Sequence, residues 1–210
     1  MDAALRRSAP IAGLTFAALY LIGGYTLAKG APGFAAESDA ILTYFTDRSA
    51  SINVGALLNF VSAPFWFIFL GTIYSAIKDK EGASGHLAAT ALASGAAAAA
   101  VSIVGALCAS IGAIRGADGT LDAGAAVVYF DASTALLYTG TAVAAAAFLL
   151  AVAAASIRYG VILPKALGAA SLILAVLFLI PPLSMWALAL GVALMGLASI
   201  KLFLDGAGEL

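Results

Sequence analysis

Asn59, Ser62 and Pro64 stand inside the run LNFVSAPFWFIFLG, residues 58–71, where every neighbour is apolar or small. Asn59 and Ser62 are three residues apart and share one face of a helix. Pro64 has no N–H, so the carbonyl of Phe60 loses its helical partner and becomes a further acceptor. A carboxamide, a hydroxyl and a free carbonyl recognise by hydrogen bonding; none is an acid, a base or an activated nucleophile. Asp131 is the second candidate. A carboxylate at membrane depth is costly to desolvate and is a functional group by default. The sequence leaves it two roles: such a group, with Arg48 or Arg115 as partner, or a water-exposed cap of the helix beginning ASTALL.

Catalytic sets are missing. The single histidine, His86, follows the polar turn KDKEGASG and is expected to be solvated, so no Ser/His/Asp arrangement forms. GADG is a turn and not a phosphate cradle. With one histidine and one cysteine, Cys108, the chain lacks a ligand set for zinc, haem or an iron–sulfur cluster. Lys201 lies near the end of the last apolar run, where it would snorkel to water rather than form a buried Schiff base. No catalytic residue, metal or cofactor is expected.

The elements that position these groups are long apolar helices. The chain is 63% hydrophobic and 10% charged, with a mean hydropathy of +1.07, whereas soluble chains carry about 25% charged residues. Lipid is therefore the solvent. A net charge of −1 offers no basic face, which excludes nucleic acid as a partner. Arg6 and Arg7 precede IAGLTFAALYLIGGYTLA. That run exceeds the roughly 7–15 residues of a signal-peptide core and reads as an uncleaved first span.

Six stretches approach the roughly 20 apolar residues that a spanning helix needs: 10–28, 54–77, 87–110, 132–157, 163–180 and 183–203. The expected fold is all-α, a polytopic transmembrane bundle forming a single domain over 1–210. The fifth stretch opens at Pro164 and closes at Pro181-Pro182, which implies a tight hairpin into the sixth; one bent or re-entrant element is the rival. With both termini on one side, that side holds Arg6, Arg7, Lys78, Lys80, Arg158, Lys165 and Lys201, against Lys29, Arg48 and Arg115 on the other. The positive-inside rule then places both termini in the cytoplasm of a plasma (inner) membrane.

Two outer connectors are expected to be structured. Ser38 or Asp39 starts a short amphipathic helix with Ile41, Leu42, Tyr44 and Phe45 on one side, lying in the interface plane or as a lid. Asp122 caps the fourth span, which begins well before the membrane. Close packing is expected at small-xxx-small pairs: Gly13 with Ala17, Gly140 with Ala144, Ala187 with Gly191. Spans three and four should be central; spans two and five should face lipid or a partner chain.

This threading collects polar groups in the outer half. Tyr20, Asn59, Ser62, Trp66, Asp131 and Tyr138 are the candidate ligand-binding residues of an outward-opening pocket. The competing account is an aromatic belt plus an interhelical hydrogen bond from Asn59, with an average stabilisation of about 0.6 kcal/mol.

The segments ESDAILTYFTDRSASINVGALL, IKDKEG and YGVILPKALGAASLI resemble a broad group of uncharacterised six-span bacterial membrane proteins common in actinobacteria. Where that group has an aromatic residue soon after the proline, this chain has Lys165-Ala166-Leu167. The resemblance implies six spans and an acidic outer helix. It implies no activity and transfers no functional residue. Two functions follow from the residues themselves. One is a non-catalytic subunit, scaffold or stabiliser, alone as a homo-oligomer or with a membrane protein partner, using the FWFIF face. The other is a carrier or binder of lipid or a small amphiphile in the outer pocket. A lipid-directed hydrolase or transferase is a distant third.

Overall fold

The computed structural model describes the backbone of residues 3–33 and 35–207, and side chains within 10–33, 35–180 and 183–204. In chain order the helices are α1 (Ala3–Ala28), α2 (Ser38–Asp47), α3 (Ser49–Glu81), α4 (His86–Ala117), α5 (Ala123–Thr134), a π-helical turn (Ala135–Gly140), α6 (Thr141–Tyr159), α7 (Lys165–Phe178) and α8 (Pro181–Ala207). Arg6 and Arg7 fall where only the backbone is described.

Among the described residues, five runs are long and apolar enough to cross a membrane: Pro10–Ala28, Ser49–Glu81, His86–Ala117, Ala123–Tyr159 and Leu183–Leu204. The expected fifth span is the shorter helix α7, 14 residues long, or about 21 Å, less than the roughly 30 Å hydrocarbon core. The expected PPLS link is instead the first turn of α8, and α7 ends at Phe178, before the prolines. Pro164 is the N-cap of α7, and Pro181 opens α8 where a missing N–H costs nothing. Outward-facing side chains are apolar around the bundle, including Ile11, Leu57, Phe67, Val104, Val143 and Leu190. This exterior suits hydrocarbon, and the protein is a membrane-spanning helical bundle.

The helices form a closed ring. α1 packs on α3, α3 on α4, α4 on α6, α6 on α7, α7 on α8, and α8 returns to α1. No helix is central, which corrects the expectation for spans three and four. Span two does not turn its aromatic run to lipid: Trp66, Phe69, Leu70, Ile73 and Ile77 are buried, and only Phe67 and Ile68 of FWFIF point outward. Helical phase makes this division, because Trp66, Phe69, Leu70, Ile73 and Ile77 recur at three- and four-residue spacing on one face, and overall composition does not reveal it.

Close approaches hold the ring. At the α1–α3 crossing, a Cβ on Gly55 would sit 2.9 Å from the Gly23 carbonyl oxygen, and one on Gly23 would sit 2.9 Å from the Gly55 carbonyl oxygen. Gly13 packs against Ser199 and Phe69, Gly140 against Val101, and Gly191 against Phe178. All three expected small-residue pairs thus contribute a contact glycine, while the Gly23–Gly55 crossing is new.

Helix α2 covers one end of the ring. Ile41 and Phe45 are buried, as its amphipathic pattern requires. Phe45 fills the hollow at Gly112 and Gly116 of α4, where Cβ atoms would lie 2.8 and 3.0 Å from Phe45. The helix starts from Glu37 without a side-chain cap, so neither Ser38 nor Asp39 caps it. Asp122 does cap α5, accepting from the Ala125 N–H at 2.8 Å. At the opposite end the Glu81 carboxylate accepts from the N–H groups of Leu87 (2.9 Å) and Ala88 (3.1 Å), capping α4 from the preceding helix.

Gly55→Ala forces a methyl group into backbone and should lower stability in detergent by about 1–3 kcal/mol. Gly71→Ala, with nothing within 4 Å of the added atom, should leave the unfolding midpoint unchanged or raised. Equal midpoints for the two variants would contradict the crossing.

Candidate functional site

Inside the ring lies a central, partly open cavity of about 70 Å³ to which α1, α3, α4, α6, α7 and α8 all contribute side chains. It is there because small residues face inward: Ala63 of α3, Ala98 and Ala99 of α4 and Ala145 of α6 leave volume that no neighbour fills. Aromatic rings make one wall. Trp66 lies 4.7 Å from Phe16 and 5.1 Å from Phe148 between centroids, the latter edge-on. Such contacts fix ring orientation as well as burying area.

A second void of about 40 Å³ lies toward the α2 end, bounded by Gly24, Leu27, Leu137 and Tyr138. Tyr20, Asn59 and Leu188 line both. These three side chains are the partition between the two chambers. The π turn places Leu137 and Tyr138 here. Its extra residue shifts the register between α5 and α6, and Thr141 Oγ1 donates to the Leu136 carbonyl at 2.9 Å across the widened turn. Gly105 of α4 admits this turn closely; a Cβ there would meet Leu137 Cγ at 2.8 Å.

Most polar groups at the cavity are turned away from it. Ser62 Oγ donates to the Asn59 carbonyl at 2.7 Å, and Trp66 Nε1 donates to the Gly95 carbonyl at 2.9 Å. The hydroxyls of Tyr20 and Ser102 bond each other at 3.1 Å, linking α1 to α4. Asn59 differs. Its Nδ2 donates to the Gly55 carbonyl at 3.1 Å, one turn back on its own helix. A carbonyl partner must face the NH₂ end of the amide, which fixes the amide orientation. The Oδ1 end is then left for the chambers. Among the described residues no charged side chain lines either void.

Of the candidate ligand-binding residues, the structure brings together Tyr20, Asn59, Ser62 and Trp66 at the central cavity, and Tyr20, Asn59 and Tyr138 at the second. Asp131 is not with them. It is exposed on α5, which turns Ala126, Phe130 and Ser133 inward instead. Nor does it start a helix, since α5 begins eight residues earlier, at Ala123. Pro64 is also exposed, so the freed Phe60 carbonyl is not part of the cavity wall. Asn59 bonds its own helix, not a neighbour; the α3–α4 link nearby is Ser110 Oγ to Asn53 Oδ1, 2.6 Å. Sequence reasoning missed Ser102, Thr141 and Phe148. Ser102 had a usable signal: it is one of the few hydroxyls within an alanine-rich span.

Tyr44 ties α2 to the chamber wall. Its hydroxyl donates to the carbonyl of Leu27 at 2.6 Å. Burial first, with nearby Tyr138 adding to the rise and Arg48 opposing it, pushes its pKa up to about 12.

No protein-family model, curated protein or solved structure matches this chain. The two chambers are therefore interpreted from their own chemistry.

The Tyr44 phenol is raised in the folded state, from an ordinary value of 10.0 to about 12, so its contribution to α2 docking is complete below pH 10. It is lost as pH rises through about 12. Amide-exchange protection of residues 38–47 should fall across that interval in the wild type, and Tyr44→Phe should remove the step. A wild-type profile that is flat to pH 12 would contradict the buried hydrogen bond.

Proposed function

We propose that this protein is a non-catalytic membrane protein that takes a small, largely apolar molecule into the centre of its helical ring. The observation that carries this reading is the unfilled cavity at the convergence of six helices, bounded by aromatic and aliphatic walls. Small-molecule sites have this character: mostly apolar, with a few placed polar groups. A space of about 70 Å³ exceeds the roughly 10–15 Å³ that holds one water. Its hydroxyl and indole groups are already bonded within the protein, so water gains few partners there. An apolar guest loses nothing by entering.

The proposal includes an orientation. Both termini face the cytoplasm of a plasma (inner) membrane, supported by the basic residues at that end. Helix α2 and the second chamber then face outward, and the central cavity is reached from that side or from lipid. Assembly with a protein partner or a second copy is the competing reading. Phe67 and Ile68, the outward residues of its expected contact face, suit hydrocarbon equally well.

Native mass spectrometry of gently solubilised protein tests the choice. The wild type should carry a small apolar adduct or a lipid fragment, and Ala98→Leu, which fills the cavity from α4, should carry none. A bare wild-type mass, or one accompanied only by another protein, would contradict the binding reading.

A further inference from the structure

We infer that the guest is a neutral amphiphile whose single hydrogen-bond donor, a hydroxyl, is held by Asn59 Oδ1 at the partition between the two chambers. The inference rests on the binding reading above and names the chemical class that the site accepts.

Asn59 is 4% exposed, and a buried carboxamide oxygen without a partner is costly. Its amide hydrogen is directed to the Gly55 carbonyl, and Gly23 makes the room: a Cβ on Gly23 would lie 2.9 Å from Asn59 Nδ2. The crossing of α1 and α3 therefore pins the NH₂ end against the helices. No hydrogen bond from the protein reaches Oδ1 among the described residues, although no buried side-chain oxygen or nitrogen is sealed off without a partner. Oδ1 therefore opens on the voids that Asn59 lines. It is acceptor-only, so a complementary ligand must donate.

The walls settle the remainder of the ligand. On one side of the partition are Trp66, Phe148 and Phe178, which suit a short hydrocarbon tail. On the other is Tyr138, which lines the second void and would offer its hydroxyl as a second contact for a polar head. No lining side chain among the described residues is charged, so an anionic or cationic head would be desolvated without compensation. The volumes limit the tail to a short chain. A neutral alcohol of about six carbons, or the hydroxyl-bearing end of a longer neutral lipid, satisfies each of these conditions.

The chain has two tryptophans, and Trp186 is exposed, so Trp186→Phe leaves Trp66 as an internal reporter on the cavity wall. The protein in lipid nanodiscs is titrated with 6-bromohexan-1-ol, 1-bromohexane and 6-bromohexanoate at matched membrane mole fractions, and bromine quenching of Trp66 is read. The alcohol should reach half-quenching at about fivefold lower concentration than the alkane, the worth of one neutral hydrogen bond, and the carboxylate should quench least. Asn59→Leu should erase the preference for the alcohol, while Thr72→Ala, on the same helix but lining neither void and with its hydroxyl on the Ile68 carbonyl, should keep it. Equal quenching by alcohol and alkane in the wild type overturns the assignment of Asn59 and leaves the apolar cavity standing. Strong quenching by the carboxylate overturns the neutral head. Quenching by none of the three overturns the binding reading as well.

Discussion

The backbone contact between Gly23 of α1 and Gly55 of α3 is the constraint on which the remaining arrangement rests. In hydrocarbon, apolar side chains gain nothing by leaving solvent, so helices associate through close packing and hydrogen bonds. Each backbone can come this near the other's carbonyl oxygen only where both residues lack a Cβ. The approach fixes the angle of α1 against α3, and it directs the amide of Asn59 at the Gly55 carbonyl. The same two residues thus set a helix crossing and aim the one cavity-facing carboxamide.

Around that crossing the ring closes by equivalent devices. Glycines at α4–α6, α6–α7 and α7–α8 accept neighbouring side chains, and Gly13 receives Ser199 where the first and last helices meet. Closure has a geometric consequence. A ring of six helices with Ala63, Ala98, Ala99 and Ala145 on its inner face leaves part of its middle unfilled, and the aromatic cluster of Phe16, Trp66 and Phe148 makes one wall. The cavity follows from the ring itself, with small side chains on its inner face. Function, on this account, uses what packing leaves over.

Local features were readable in the sequence because each has a local cause. The presence of α2 and its inward Ile41 and Phe45 follow from an amphipathic pattern, the Asp122 cap from an acidic residue before an alanine run, and the shared face of Asn59 and Ser62 from their spacing alone. The non-local features were not. An alanine-rich chain offers many small-residue pairs, and nothing in composition marks Gly23 and Gly55 as the pair that meets. The π turn at 135–140 shifts register without a change in residue type, so the inward turn of Leu137 and Tyr138 had no signature. Asp131 drew notice as an ionisable group at apparent depth. Its direction depends on helix phase, and that phase puts it outside. Ring closure by α1 and α8 joins the two ends of the chain, which periodicity cannot see.

Ring closure is also the claim most exposed to direct measurement. In a Cys108→Ser background, Gly13→Cys and Ser199→Cys are combined and the protein is mildly oxidised in membranes. A contact this close between α1 and α8 predicts rapid formation of a disulfide within one chain, seen as a monomer that migrates faster until reduced. A double variant that stays unlinked, or that links only chain to chain, would mean that the ring is open and that the central cavity does not exist as described.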